Sequence, residues 1–381
     1  MASGDLTPVS LTPVSESSFL VEFPGRSNVD ANRTAVSLAE RLSKRRLHGV
    51  LEAIPGARTL FVVLDPQVSD SAGIVRLLRR LASERDPAPR ESRLLRIPVA
   101  YGGEGGSDLL TVAHESGLDP ADVARRHAAT EYRVAFLGFS PGFGYLTGLP
   151  PELAVSRLAS PRPRVPAGSV AIAGEYSAIY PSETPGGWRL IGRTAVSLFD
   201  PVAEPPALLS PGDRVSFEPI GEEELLRRLA DRRAGESRDE PGEDAVFDVV
   251  TPGAFTSIQG GPRFGLGRSG VPAGGAMDLD ALAEGNSRVG NGTGAAALEV
   301  TLSGPELLLR SDALLALAGA DLDAKWNGNA VPLGKAFAAR KGDRITFGGA
   351  RVGARAYLCV AGGLAERPPA ETTRRLARGD R

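Results

Sequence analysis

The stretch Tyr132–Tyr145, YRVAFLGFSPGFGY, decides how the middle of this chain reads. Phe136, Phe139, Phe143 and Tyr145 crowd into ten residues, interleaved with Gly138, Gly142 and Gly144, in a chain that is only 6% aromatic. From Glu131 onward helix signals stop for about ninety residues, and short apolar runs are punctuated by SPGFG, PRPR, PAGS, SETPGG and SPGD. Regularly spaced strands between glycine and proline turns read as a β barrel or sandwich. The aromatic cluster has two readings here. It is a pocket wall whose glycines let backbone approach a ligand, or it is core plus tight turns.

Toward the N-terminus the text alternates. SFLVEF (18–23), GVLEAI (49–54), TLFVVLD (59–65) and residues 94–99 read as strands, while 31–47 and 71–83 carry apolar residues at helical spacing. The order βαββαβ predicts a split βαβ domain over 15–100, after a flexible stretch 1–14. Asp119 with Pro120 opens a short helix over 120–129. A barrel over 101–233 ends in the helix 222–233. AGESRDEPGED (234–244) is charged and poor in apolar residues, so it reads as a linker. A second glycine-rich β region covers 245–363, with a tail over 364–381. PGDRVSF (211–217) and KGDRITF (341–347) echo each other, which points to a shared architecture. RGDR at the end repeats that turn with no strand after it, which reads as a domain cut short.

Composition excludes several classes. The formal charge of −2 offers no basic field for a nucleic acid backbone. No apolar run is long enough to span a membrane, and the N-terminus lacks signal-peptide character, so a cytoplasmic place is expected. One cysteine, Cys359, and three scattered histidines exclude a disulfide framework and a multi-cysteine or histidine-rich metal site. The 44 basic residues include only four lysines, a bias that base composition explains as well as any need for guanidinium.

Candidate site residues follow from chemistry. Phe139, Phe143, Tyr145, Tyr180 and Trp188 are the candidate pocket lining, and Arg193 is a fork for a carboxylate or phosphate. Arg162 and Arg164 alternate along a possible edge strand, of which Arg164 is taken as substrate-binding. His127 and Glu175 are the proton-transfer candidates, with a surface or helix-end role the competing reading for His127. In the second half Arg263, Asp278 and Glu299 are candidates. Asp278 also reads as the N-cap of a helix over 279–288. GGPRFGLGRSG is neither a P-loop nor a dinucleotide fingerprint.

These words taken together carry a family resemblance. IPVAYGGEGGSDL, GFSPGFGYLTGLP, PRPRVPAGSVAI, IYPSETPGGW, LIGRTAVSLFDP and LLSPGDRVSF resemble the B subunit of 5-oxoprolinase, the KipI or allophanate hydrolase subunit 1 family, over about 15–220. VVTPGAFTSIQ, RFGLGRSGVPAGGAMD, VGN, LEVTLSGPELL and KGDRITF resemble the start of the C subunit, the KipA or allophanate hydrolase subunit 2 family, over about 247–363. The resemblance implies a mainly β fold with α+β: the split βαβ domain, a cyclophilin-like barrel, and a second, incomplete cyclophilin-like barrel. It implies ATP-driven opening of 5-oxoproline to glutamate, with ATP and Mg²⁺ as co-substrate. The implied partners are a LamB/YcsF-type A subunit and a full-length C subunit. Gly260 and Pro262 depart from the family pattern, which has Asp and Gly there. Two alternatives stand beside this reading. One is a urea or allophanate carboxyltransferase-like component, although Met1 and Met277 are the only methionines and no biotin attachment motif is present. The other is a KipI-like inhibitor of a sensor histidine kinase.

Overall fold

A computed structural model describes residues 9–24, 26–45, 47–67, 70–84, 92–235, 245–365 and 376–380. The chain divides into two units, Met1–Ser237 with Phe264–Val271, and Arg238–Arg263 with Pro272–Arg381. Most of the expected linker, the first residues of the N-terminal stretch and most of the tail lie outside the described residues.

The first unit opens with β1 (Ser10–Ser15), β2 (Ser18–Glu22), α1 (Asn28–Arg45), β3 (Val50–Pro55), β4 (Thr59–Leu64) and α2 (Ser71–Ser83). The sheet is antiparallel throughout, in the order β1-β2-β4-β3. Ala31, Ala35, Leu38 and Leu42 fall three or four apart on α1 and pack with Val21, Leu60, Val62 and Leu78. Two sequence expectations are corrected here. Residues 10–15 form an edge strand rather than a flexible lead. β5 (Leu94–Tyr101), assigned from sequence to this domain, belongs to the barrel, where it pairs parallel with one strand and antiparallel with another. Periodicity identifies a strand but not the sheet it joins.

The barrel is built from β5, β6 (Glu131–Leu137), β7 (Gly144–Thr147), β9 (Ser169–Ala173), β10 (Tyr176–Ile179), β12 (Arg189–Arg193) and β13 (Arg214–Pro219). They close in the order β10-β7-β6-β13-β5-β12-β9. A separate two-stranded ribbon pairs β8 (Arg162–Val165) with β11 (Thr184–Gly186). α3 (Leu109–Ser116) and α4 (Pro120–Ala129) add Val112 and Val123 to the barrel core, and α5 (Glu222–Gly235) follows β13. Every residue of β9 is buried. Alternation sends Val170 and Ile172 into the main core and Ala171 and Ala173 into a second, aromatic one. The small alanines leave room for rings on that face.

The second unit holds β14 (Phe247–Thr251), β15 (Phe255–Gln259), α6 (Leu279–Arg288), β16 (Ala297–Thr301), β17 (Glu306–Leu309), β18 (Ala313–Asp321), β19 (Lys325–Trp326), β20 (Asn329–Ala330), β21 (Ala336–Ala339), β22 (Arg344–Thr346) and β23 (Val352–Val360). They form two five-stranded sheets, β14-β17-β22-β19-β20 and β15-β16-β23-β18-β21. One core joins them, with Phe247, Leu307 and Ile345 from the first and Leu298, Leu317 and Leu358 from the second. The ladders of the two sheets do not merge into a closed barrel among the described residues.

The Gly-Asp echo proves to be one turn used three times. Gly212, Gly342 and Gly379 all have φ between +87° and +94°. Asp213, Asp343 and Asp380 each accept the backbone N–H three residues back, at 2.9, 2.8 and 2.8 Å. Each turn then pairs its glycine N–H and aspartate C=O with a neighbouring strand residue, Val134, Leu309 and Val249 respectively. The last copy therefore hooks residues 376–380 onto β14.

Candidate functional site

The aromatic residues singled out from sequence converge on the outer face of the barrel, where β9 and β10 meet the β8–β11 ribbon. Phe143 is the hub, 1% exposed, with ring centroids of Phe139, Tyr145, Tyr180 and Trp188 at 5.3, 5.2, 5.2 and 5.6 Å. The pairs lie edge to face, the arrangement favoured by ring quadrupoles. Phe136 stacks on Tyr145 at 4.3 Å, and Tyr176 closes the set. Of the competing readings, core plus tight turns describes most of this cluster. It is a core, but a second one outside the barrel, and it has an open side.

Phe139 forms that open side. It is 63% exposed and holds a left-handed φ of +73°. An aromatic residue adopts that conformation only under constraint from its surroundings. The loop Gly138–Phe143 supplies it, through the Gly138 N–H to Phe143 C=O and the Phe143 N–H to Ser140 C=O bonds. Gly142 fits because a Cβ there would come within 2.9 Å of the Leu198 carbonyl.

Cations rim the cluster. The Arg157 guanidinium lies 5.7 Å from the Trp188 ring centroid. Arg162 Nη2 donates to Asp108 at 2.6 Å, and Asp108 also accepts the Leu190 N–H at 2.7 Å. Arg162 Nη1 is buried and has no hydrogen-bond partner among the described residues. Burial raises the Tyr180 phenol, opposed by the Trp188 backbone amide, Arg157 and Arg162. Burial likewise raises Tyr145, with Arg157 opposing. Gly186 is obligatory beside Tyr180, since a Cβ would meet its hydroxyl at 2.3 Å.

Other sequence candidates fall elsewhere. Arg164 is exposed and tied to Glu183 at 2.6 Å, so Arg162 rather than Arg164 faces the cluster. Residues two apart on a regular strand share a face, and nothing in the sequence marks the irregularity that the β8–β11 ladder carries between Arg162 and Val165. His127 is neither at the surface nor available for proton transfer. It is fully buried in the barrel, with Nδ1 2.8 Å from the Tyr101 hydroxyl and Nε2 2.8 Å from Ser177 Oγ. Burial pushes its pKa down to about 3, so the ring is neutral at physiological pH. Glu175 is exposed in the β9–β10 turn, beside Tyr176. Arg193, at the end of β12, donates from Nε to the Ala167 carbonyl at 3.2 Å.

In the second unit Asp278 caps α6 by accepting the Ala281 N–H at 2.9 Å, as one sequence reading held. Glu299, 4% exposed, accepts three hydrogen bonds: Oε2 from the Met277 N–H and the Tyr357 hydroxyl, and Oε1 from Arg355, at 2.9, 2.8 and 3.0 Å. The Tyr357 hydroxyl in turn accepts the Asp278 N–H at 2.8 Å. This network fastens the entry of α6 to β16 and β23. Arg263 lies in the loop after β15, its N–H on the Ala273 carbonyl at 2.8 Å. Tyr101, Asp108, Arg157, Ser177, Arg355 and Tyr357 escaped the sequence reading because no local pattern marks a residue whose partner is distant in sequence. Among the described residues no group of three His, Cys, Asp or Glu side chains could hold a metal ion.

A barrel with an attached α+β sheet, followed by a second β unit, defines a class, and the comparisons agree with it. The chain belongs to the carboxyltransferase domain family: residues 9–209 match its subdomains C and D, and residues 269–372 its subdomains A and B. The first part is similar to the B subunit of 5-oxoprolinase from Escherichia coli O157:H7, 43% identical over 206 residues, covering 54% of this chain and 94% of that protein. The second part is similar to the C subunit of 5-oxoprolinase from Escherichia coli K12, 38% identical over 119 residues, covering 31% of this chain but only 38% of that protein. The chain thus joins a part resembling the one protein to a part resembling a portion of the other. The crystal structure of TTHA0988 aligns with a TM-score of 0.78 and 35% identity, over 95% of this chain and 73% of that one.

Proposed function

We propose that this chain is the fused B–C component of an ATP-dependent 5-oxoprolinase, working with a LamB/YcsF-type A subunit in the cytoplasm. The observation that carries this reading is the pair of similarities, to a B subunit of 5-oxoprolinase in the first part and to a C subunit in the second, with the exposed Phe139 at the edge of the aromatic cluster as the candidate binding face. 5-Oxoproline is a flat five-membered lactam bearing a carboxylate. Aromatic edges and faces suit the ring, and a guanidinium arm suits the carboxylate. Asp108 fixes the Arg162 guanidinium through Nη2, which lowers the ordering cost of binding.

The overall reaction consumes 5-oxoproline, ATP and two waters and yields glutamate, ADP and phosphate: the phosphoryl group passes from ATP to the amide oxygen, one water opens the lactam C–N bond, and the second releases the phosphate. Activation by phosphorylation of the amide oxygen turns a poor electrophile into a good one. This chain contributes binding and orientation. Among its described residues no group of three His, Cys, Asp or Glu side chains could hold Mg²⁺. His127 is neutral and fully enclosed, and in this reading it serves the barrel core rather than proton transfer. A carboxyl-transfer role would require a biotin carrier.

The test is glutamate release from 5-oxoproline with Mg-ATP, using this chain mixed with an A-type subunit and omitting each in turn. Release that needs both proteins and ATP supports the reading. No release from chain shown to be folded by circular dichroism rejects it and favours a binding protein of the KipI kind.

A further inference from the structure

The segment Phe264–Val271 interrupts the second unit in sequence but is part of the first. Its attachment is specific. Glu52 on β3, 7% exposed, points one carboxylate oxygen at the Gly265 N–H and at the Gly267 N–H, the latter at 3.2 Å. A Cβ on Gly267 would come within 2.1 Å of Glu52 Oε2 and 2.3 Å of Ile54 Cδ1, so only glycine allows this approach. Glu52 sits at an irregularity in the β3–β4 ladder, between Val50 and Glu52, which turns its side chain inward.

The far end of the segment reaches the Phe139 loop. The Ser269 carbonyl accepts the Gly142 N–H at 2.9 Å. Gly270, with φ +77°, lies so close that a Cβ would stand 2.9 Å from the Ser140 carbonyl. One end of the segment is therefore clamped by a buried acid. The other end holds the loop that keeps Phe139 in its left-handed conformation.

We infer that Glu52 is a positioning residue for the Phe139 opening, acting through the 264–271 segment as a strap. The significance for a ligand site rests on the function proposed above, but the mechanical claim does not. Buried carboxylates accepting backbone N–H groups form strong, charge-assisted bonds, and removing the acceptor leaves two donors without partners. The strap then loosens, and Gly142 loses its acceptor.

The experiment is hydrogen exchange on the intact chain, comparing wild type with Glu52→Ala, Glu52→Gln and Gly270→Ala. Exchange at Gly142 should rise about tenfold or more in Glu52→Ala, together with exchange at Gly265 and Gly267. Ile172, deep in the barrel, should be unchanged. Glu52→Gln keeps an oxygen acceptor of the same reach and should recover much of the protection. Gly270→Ala strains the strap at the loop without touching β3, and should expose Gly142 while Gly265 stays protected. Faster exchange at Gly265 with Gly142 unmoved would overturn the coupling, and unchanged exchange at both in Glu52→Ala would overturn the clamp. If Glu52→Ala does not fold, Glu52→Gln and Gly270→Ala decide the matter on the same two amides. None of these outcomes depends on glutamate release. Loss of lactam turnover in an exchange-perturbed Gly270→Ala chain would tie the strap to the site.

Discussion

At the residue scale two side chains separate structural from functional roles. Phe139 carries backbone strain in an exposed position, which is the pattern expected of a residue kept for contact rather than for packing. Phe139→Gly should be more stable than Phe139→Ala by about 1 kcal/mol, because glycine tolerates the left-handed region. Both variants should lose lactam turnover. Thermal melts and the glutamate assay check the pair, and equal stability would show that the strain is not borne at this residue. His127 predicts a pH dependence. Its folded pKa is depressed to about 3, whereas the unfolded ring titrates near 6.5. Between those values the unfolded chain binds a proton that the folded one refuses. Stability is therefore full above about 6.5 and falls by about 1.4 kcal/mol per pH unit as pH drops toward the folded pKa. His127→Gln should remove that slope, so urea melts at pH 7 and pH 5 should show wild type losing its advantage over the variant.

At the scale of elements, barrel closure depends on close approach of β12 to β5. A Cβ on Gly192 would meet the Ala100 carbonyl at 2.7 Å and Val99 Cγ1 at 2.8 Å. Gly192→Ala should cost about 1–3 kcal/mol, read as a lowered midpoint in thermal unfolding. Gly221, with nothing near its missing Cβ, provides the matched control and should change little. The ribbon β8–β11 has a different duty. It lids the aromatic core and carries Arg162, so damage to it should reach ligand binding before it reaches the barrel. Arg162→Lys keeps the charge but not the fork toward Asp108. We expect a raised KM for 5-oxoproline with kcat largely kept, whereas a residue acting on the transition state would lower kcat.

On the scale of the whole molecule, the two units are not contiguous in sequence, since 264–271 is counted with the first. A fragment ending at residue 237 would lack the strap and leave Glu52 facing no donors. It should melt below the corresponding transition of the intact chain, and a peptide spanning 264–271 should raise its midpoint. No upward shift at saturating peptide would mean that the strap adds nothing to the stability of the first unit.

Much was legible from sequence alone. The helices at 71–83, 120–129 and 279–288 follow from periodicity and capping, and the structure places them at those bounds. The Gly-Asp turns are legible because their chemistry is local: a positive φ at glycine and an aspartate that accepts its own near backbone. The aromatic cluster was legible as a density of rings, and those rings do converge. What tertiary structure decided is everything that depends on partners far apart along the chain. β5 reads as a strand either way, yet only pairing with β12 and β13 puts it in the barrel. His127 reads as a titrating group, yet Tyr101, Ser177 and burial make it a neutral core residue. Arg162 and Arg164 read alike, and only the partners the fold supplies, Asp108 for one and Glu183 for the other, tell them apart. Glu52 carried no local signal, because the donors that define it arrive more than two hundred residues later, at Gly265 and Gly267. Local backbone preference is written in neighbouring residues, whereas burial, pKa and the pairing of charges are set by whatever the fold brings alongside.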